Sequence, residues 1–187
     1  TRSPHSRRDV SASGPIADAF RANCGAAFEH LPEIVRRAHS GRSRLAGQVR
    51  VRRGNRLSRL IADAMGLPKA GERVDMLVDS EHRPDCMLWN RSFGGRQFHS
   101  CFRLEAGGLT ESVGPFRLHL RLVVADGRLL YRLERISLWR LPWPRWLAPA
   151  IEAWEGAAGA QYEFAVEVRL PLLGRLVRYE GKLDHLA

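Results

Sequence analysis

The sequence is poor in cysteine, nearly devoid of lysine and without any long apolar run, and each scarcity excludes something. Its three cysteines, Cys24, Cys86 and Cys101, are odd in number and match no paired zinc spacing. They allow one disulfide at most and argue against a metal site, so neither metal nor cofactor is expected and the thiols read as reduced, with a cytoplasmic address. No stretch approaches the ~20 apolar residues of a membrane-spanning helix, and the start TRSPHSRRDVSAS lacks the apolar segment of a signal peptide. No metal-ligand cluster, nucleophile motif or phosphate-binding loop stands out.

Thirty Lys+Arg against 20 Asp+Glu give a formal charge of +10, and Lys69 and Lys182 are the only lysines. A basic balance admits nucleic acid, anionic lipid or an acidic substrate as partner. The arginines, however, are spread over alternate residues of strand-like runs. That spacing describes a solvated outer face and argues against nucleic acid.

What is present is a regular β pattern. The 187 residues fit one domain, able to bury roughly 70% of the unfolded chain's surface. Residues 1–13 are polar and aperiodic and read as a flexible leader, leaving 14–187 as a single domain. From Gly14-Pro15, the residues Ile16, Ala19, Phe20, Cys24 and Phe28 recur at helical spacing. A second short helix is expected over 33–39, opened by Pro32, with His39 capping carbonyls at its end. Val49 and Val51 alternate with arginines as a short strand. The helix that follows carries one apolar stripe, Leu57, Leu60, Ile61, Ala64 and Met65, of the kind that normally packs into a core.

From Arg73 the period is two almost to the end. Gly94-Gly95, Gly107-Gly108 and Asp126-Gly127 mark hairpins. His119, between Arg117 and Arg121, reads as an exposed strand residue. Leu141 to Pro149, LPWPRWLAP, breaks both periods because three prolines forbid a continuous helix or ladder. With Trp139, Trp143 and Trp146 in or beside it, this loop is either a lid packed on the sheet, the favoured reading, or an exposed aromatic surface for a partner or membrane interface. Ala150 to Ala160 is expected as a short helix or a loosely ordered stretch. The clearest element is Gln161 to Leu183, two long strands folded at Pro171-Leu172-Leu173-Gly174. Tyr162, Phe164 and Tyr179 face its inner side.

Candidate site residues follow from the inward faces. Met87, Trp89, Arg91 and Phe93 share one face of a strand, Phe98, Ser100 and Phe102 one face of the next, and Glu111 one of the third. Burying an unpaired charge costs several kcal/mol, so Arg91 and Glu111 either bridge each other structurally or meet a ligand. Tyr131 and Tyr179 join the candidate ligand-binding set. The expected fold is α+β, mainly β: a curved antiparallel β-meander of seven to nine strands, a half-open or closed barrel with a calycin-like cup, and N-terminal helices packed on it. Three functions fit. The first is a pocket for a hydrophobic small molecule or lipid-like group, apolar through Trp89, Phe93, Phe98 and Phe102. The second is proton-transfer catalysis (isomerase, cyclase or hydrolase) by Glu111 as acid/base and Arg91 as charge stabiliser. The third is binding of an anionic surface or nucleic acid by the outer arginines.

The phrases FEHLPEIVRRAH (28–39), MLWNRSFGGRQFHS (87–100), GGLTESVGP (107–115), LPWPRWLAP (141–149) and FAVEVRLPLLGRLVRYEGKL (164–183) resemble, in this order, a bacterial family designated domain of unknown function 4166. The resemblance spans about residues 20 to 185. It implies no established activity; members of that family look like single domains or are appended to dehydrogenase-like or membrane regions. The matching positions include turn and core residues such as Gly114, Pro142, Pro171 and Gly181, and the polar exceptions are Arg91, Ser100 and Glu111.

Overall fold

The computed structural model describes residues 19–105, 108–139 and 141–186. The expected leader, the helix start at Gly14-Pro15-Ile16 and Gly107 lie outside the described residues. Eleven antiparallel strands run β1 (Arg42–Arg53), β2 (Gly71–His82), β3 (Met87–Phe93), β4 (Arg96–Glu105), β5 (Gly108–Val113), β6 (Phe116–Ala125), β7 (Arg128–Leu138), β8 (Leu141–Pro142), β9 (Ala150–Ala158), β10 (Gln161–Leu170) and β11 (Gly174–Leu186). Their order is β6-β5-β4-β3-β2-β1-β11-β10-β9-β7-β8, and β6 also pairs with β7. That last ladder closes ten strands into a barrel, leaving the two-residue β8 as an appendage on β7. The barrel is closed rather than half-open, with more strands than the seven to nine expected.

The extra strands come from two stretches. β1 begins at Arg42, well before the expected strand around Val49 and Val51, because Ser43 and Leu45 continue the inward alternation and pair with Ser80 and Val78 of β2. β9 replaces the expected helix or loose segment. Its sequence AIEAWEGAA has little intrinsic β-preference, but β7 and β10 lie on either side and hold it by hydrogen bonds. Ile151, Ala153 and Glu155 thereby line the interior.

The hairpins have the backbone their residues invite. Asp126 and Gly127 both have positive φ, 51° and 69°, the left-handed pair that matches strand twist in a two-residue turn. Gly54, between β1 and the next helix, is required by proximity: a Cβ there would lie 1.8 Å from the carbonyl oxygen of Arg175.

Helices close one end. α1 (Ala19–Cys24), a 3-10 turn (Gly25–His30) and α2 (Glu33–Ala38) cover the end where β1 starts. Gly25, at φ 60°, ends α1, so the helical spacing through Phe28 is not one continuous α-helix. Phe20, Phe28, Leu31 and Val35 are fully buried as the plug. At the opposite end lie α3 (Arg56–Ala64), the loop from Trp143 to Pro149 and the β10–β11 turn.

α3 overturns its sequence reading. Ser58 and Ala62 are its buried residues, while Leu57, Leu60 and Met65 are exposed, Leu60 at 66%. The small face packs because the close approach at Gly54 leaves no room for leucines. Asn55 caps the helix by accepting from Ser58 N at 2.9 Å, and its Nδ2 donates to Leu173 O at 3.1 Å, which ties α3 to the β10–β11 turn. No helix among the described residues is long and apolar enough to cross a membrane.

Candidate functional site

The barrel encloses a cavity of about 360 Å³, and its lining combines a polar inner part with an apolar wall. Two polar groups define that inner part. The first joins β3, β4, β5 and β11. Arg91 Nη2 donates to Ser100 Oγ and, at 3.1 Å, to Glu111 Oε1, while Arg91 Nη1 reaches Tyr179 OH at 3.4 Å. The strands force this meeting: Arg91 pairs with Phe98, Ser100 with Val113, and the intervening residues point outward. Burial opposes the charge on Arg91, but Tyr179 and Glu111 more than compensate and hold its pKa above the ordinary value. Burial raises the pKa of the Tyr179 phenol.

The second group sits nearer the plug and centres on Glu155. Its Oε2 meets His39 Nε2, and its Oε1 accepts from Tyr131 OH at 2.8 Å. Burial first, and Glu155 second, push the Tyr131 and Tyr162 phenols well above their usual range, so both remain protonated donors toward that carboxylate. His39 is 2% exposed, stacked against Phe20 at 4.0 Å and Trp89 at 5.0 Å. Its backbone N–H caps the Val35 and Arg36 carbonyls at the end of α2, both at 3.2 Å, while its side chain lies in the core rather than over those carbonyls. A smaller void of about 40 Å³ touches Arg91, Glu155, Tyr162 and Tyr179 and so separates the two groups.

All nine sequence-nominated residues fall in this interior region. Trp89, Arg91, Phe93, Phe98, Phe102, Glu111, Tyr131 and Tyr179 line the cavity, and Ser100 is buried behind Arg91. Sequence reasoning missed His39 and Glu155. The signal for Glu155 was present, since Ile151, Ala153, Glu155 and Ala157 alternate. The helix-prone alanines masked it.

Some buried polar atoms have no partner among the described residues. Arg91 Nε and Trp143 Nε1 are two such donors, and both side chains line the cavity. Trp143 is the inward member of the proline–tryptophan loop, with its ring edge-on to Phe116 at 6.3 Å. Trp139 and Trp146 point outward, each 73% exposed. The loop is thus lid and exposed aromatic surface together. Leu147 and Pro149 from it, and Ile61, Met65 and Leu67 at α3, border the cavity. Met65 is also exposed, so the cavity reaches the surface between these two segments.

A family model described as domain of unknown function (DUF4166) matches residues 31–183. The chain belongs to this family. No curated protein and no solved structure matches it. The matched DUF4166 segment runs from the plug through β11, so both polar groups and the whole cavity lie inside it. Among the described residues there is no group of three or more His, Cys, Asp or Glu side chains placed to hold a metal ion.

Proposed function

We propose that this DUF4166 barrel binds a hydrophobic, lipid-like small molecule whose polar end carries hydrogen-bond-accepting oxygens. The observation that supports this most directly is the pairing of an apolar cavity of about 360 Å³ with two unpartnered buried donors, Arg91 Nε and Trp143 Nε1. Ligand pockets commonly span about 300–1,000 Å³ and use few polar groups to orient the guest. A buried donor without an acceptor costs about 1–3 kcal/mol, which a carbonyl, ester or hydroxyl oxygen would relieve. Arg91 and His39 each already face a carboxylate, Glu111 and Glu155, so a neutral polar end fits better than a second anion.

Ala153 is a small inward residue on the cavity wall, and Ala153→Phe fills the space. Titration with the neutral apolar dye Nile red is expected to give saturable fluorescence in the natural chain and at least tenfold weaker binding in Ala153→Phe. Absence of saturable binding in the natural chain would overturn the reading.

One observation favours a second reading, proton-transfer catalysis. Glu111 touches Arg91 through a single 3.1 Å contact from Oε1 and borders the cavity, rather than being locked bidentate with no space beside it. Glu111 is then the acid/base and Arg91 the charge stabiliser. Glu111→Gln, which keeps the shape, would leave dye binding intact and abolish turnover of a substrate found by screening. Binding along the outer wall by nucleic acid is disfavoured by local pairing: Arg44 meets Asp79 at 3.2 Å, Arg50 meets Glu72 at 2.6 Å and Arg121 meets Glu134 at 2.5 Å.

A further inference from the structure

The exposed large apolar side chains are not scattered. α3 and its C-cap contribute Leu57, Leu60 and Met65, and the segment around the proline–tryptophan loop contributes Trp139, Leu141 and Trp146. Leu172, at the tip of the β10–β11 turn, is 99% exposed. All seven lie at the open end; among the described residues, only Leu104 and Leu186 of the exposed large apolar side chains lie toward the plug. Monomeric proteins seldom concentrate such residues on one surface without a partner for it. Leu172 and Trp139 also hold positive φ, 64° and 46°, where an L side chain is disfavoured. Both are raised on turns rather than tucked away.

The same rim is basic. Arg56, Arg59, Lys69, Arg96 and Arg145 are exposed and form no ion pair with any described residue, in contrast to Arg44, Arg50 and Arg121 on the wall. The only described carboxylate on α3 or the loops of this end is Asp63, and Arg53 already holds it at 2.7 Å. An apolar layer of leucine and tryptophan among unpaired arginines is the chemistry of a bilayer interface, where indole rings sit at headgroup level and basic side chains meet anionic phosphates.

We infer that the open end of the barrel is a docking surface for an anionic phospholipid bilayer, with α3, Leu172, Trp139 and Trp146 entering the interface and Arg56, Arg59, Lys69, Arg96 and Arg145 engaging the headgroups. The surface stands on the rim itself. That it delivers a guest from the bilayer to the cavity rests on the lipid-like reading above, because the cavity opens between α3 and the proline–tryptophan loop. The hydrogen bonds from Asn55 and Ser58 to Leu173 O join α3 to the Leu172 turn, so the two insert as one rigid unit.

Flotation with phosphatidylcholine vesicles, with and without phosphatidylglycerol, tests this. The natural chain is expected to float with the anionic vesicles and to be released by high salt, as screened charge pairs are. The Leu172→Asp/Trp146→Asp variant is expected to partition about tenfold or more weakly. Arg56→Gln/Arg59→Gln should lose about fivefold for each charge removed, with anionic vesicles only. Leu104→Asp, at the plug end, should float like the natural chain. These positions are exposed, and unchanged circular dichroism melts will verify folding. No flotation, or flotation insensitive to the rim variants, would overturn the inference, and equal flotation on neutral vesicles would overturn the anionic assignment. A dimer in sedimentation that Leu172→Asp/Trp146→Asp abolishes, without flotation, would assign the rim to a second copy and overturn it as well. Nile red binding without vesicles separates the two readings: binding without flotation sinks the docking surface alone, and flotation without dye binding sinks the cavity reading alone.

Discussion

Glu167 faces the outside of the barrel yet is buried beneath three arginines. Arg169 Nε and Arg175 Nε donate to its Oε1 at 2.8 and 2.9 Å, and Arg178 Nη1 donates to its Oε2 at 2.9 Å. Burial alone would raise its pKa, but the hydrogen bonds from Arg178, Arg175 and Arg169 outweigh it and bring the value from 4.5 to about 2. A folded pKa below the unfolded one means that the stabilisation is full above pH 4.5 and drains away as the pH falls toward 2. Allowing for solvent around the partly exposed arginines, this is worth about 2 kcal/mol. Glu167→Gln should therefore lose about that much at pH 7 and lose less again between pH 5 and pH 3, measured by urea unfolding. An undiminished acid decline in the variant would refute this account.

The Arg91–Glu111 pair makes a different demand. Removing one partner leaves a buried charge, so Glu111→Ala should destabilise by about 3–5 kcal/mol. The joint change Arg91→Met/Glu111→Leu removes both charges and should cost less than either single change, a difference that a double-mutant cycle in urea resolves. If the joint variant were the least stable of the set, the surrounding Ser100 and Tyr179 contacts would outweigh the pair. Both residues were legible in the sequence because strands alternate strictly, and a charged residue in phase with Trp89 and Phe93, as Arg91 is, or with Leu109 and Val113, as Glu111 is, has no outward option.

At the scale of elements, α1 is short but its Phe20 is fully buried between His39, Phe102 and Tyr131. Phe20→Ala should cost about 3–5 kcal/mol and loosen His39 from its stack. A loss below about 1 kcal/mol in thermal or urea unfolding would show that the helix merely rests on the barrel end. The elements that sequence reading placed poorly share a cause. β9 is rich in alanine and becomes a strand because β7 and β10 present unpaired edges to it. α3 shows a clear apolar stripe, yet its Leu57 and Leu60 face outward while Ile61 borders the cavity, because the chain at Gly54 approaches Arg175 so closely that the small Ser58 is what packs beneath.

For the whole molecule, closure through the β6–β7 ladder turns a curved meander into a container, and the plug and the mouth divide its two ends. A ligand held only by the folded container stabilises it by mass action, about 2.7 kcal/mol at one hundred times Kd. For a chain of this size that corresponds to a rise in Tm of roughly 5–10 °C. Nile red at saturation should produce this shift in the natural chain and none in Ala153→Phe, by differential scanning calorimetry. An equal shift in both would place the dye outside the cavity.

The sequence by itself determined the strands from Arg73 to Ala125 and from Gln161 onward, their inward faces, the hairpin turns at Gly94-Gly95 and Asp126-Gly127, and the presence of Arg91, Ser100 and Glu111 among aromatics. Each follows from a period of two or from the backbone preferences of glycine and aspartate, which act over a few residues. Tertiary structure decided the closure, the strand identity of β9, the pairing of His39 with Glu155 across 116 positions of chain and the outward face of α3. These depend on which distant segment passes alongside, and the local pattern carries no information about that neighbour.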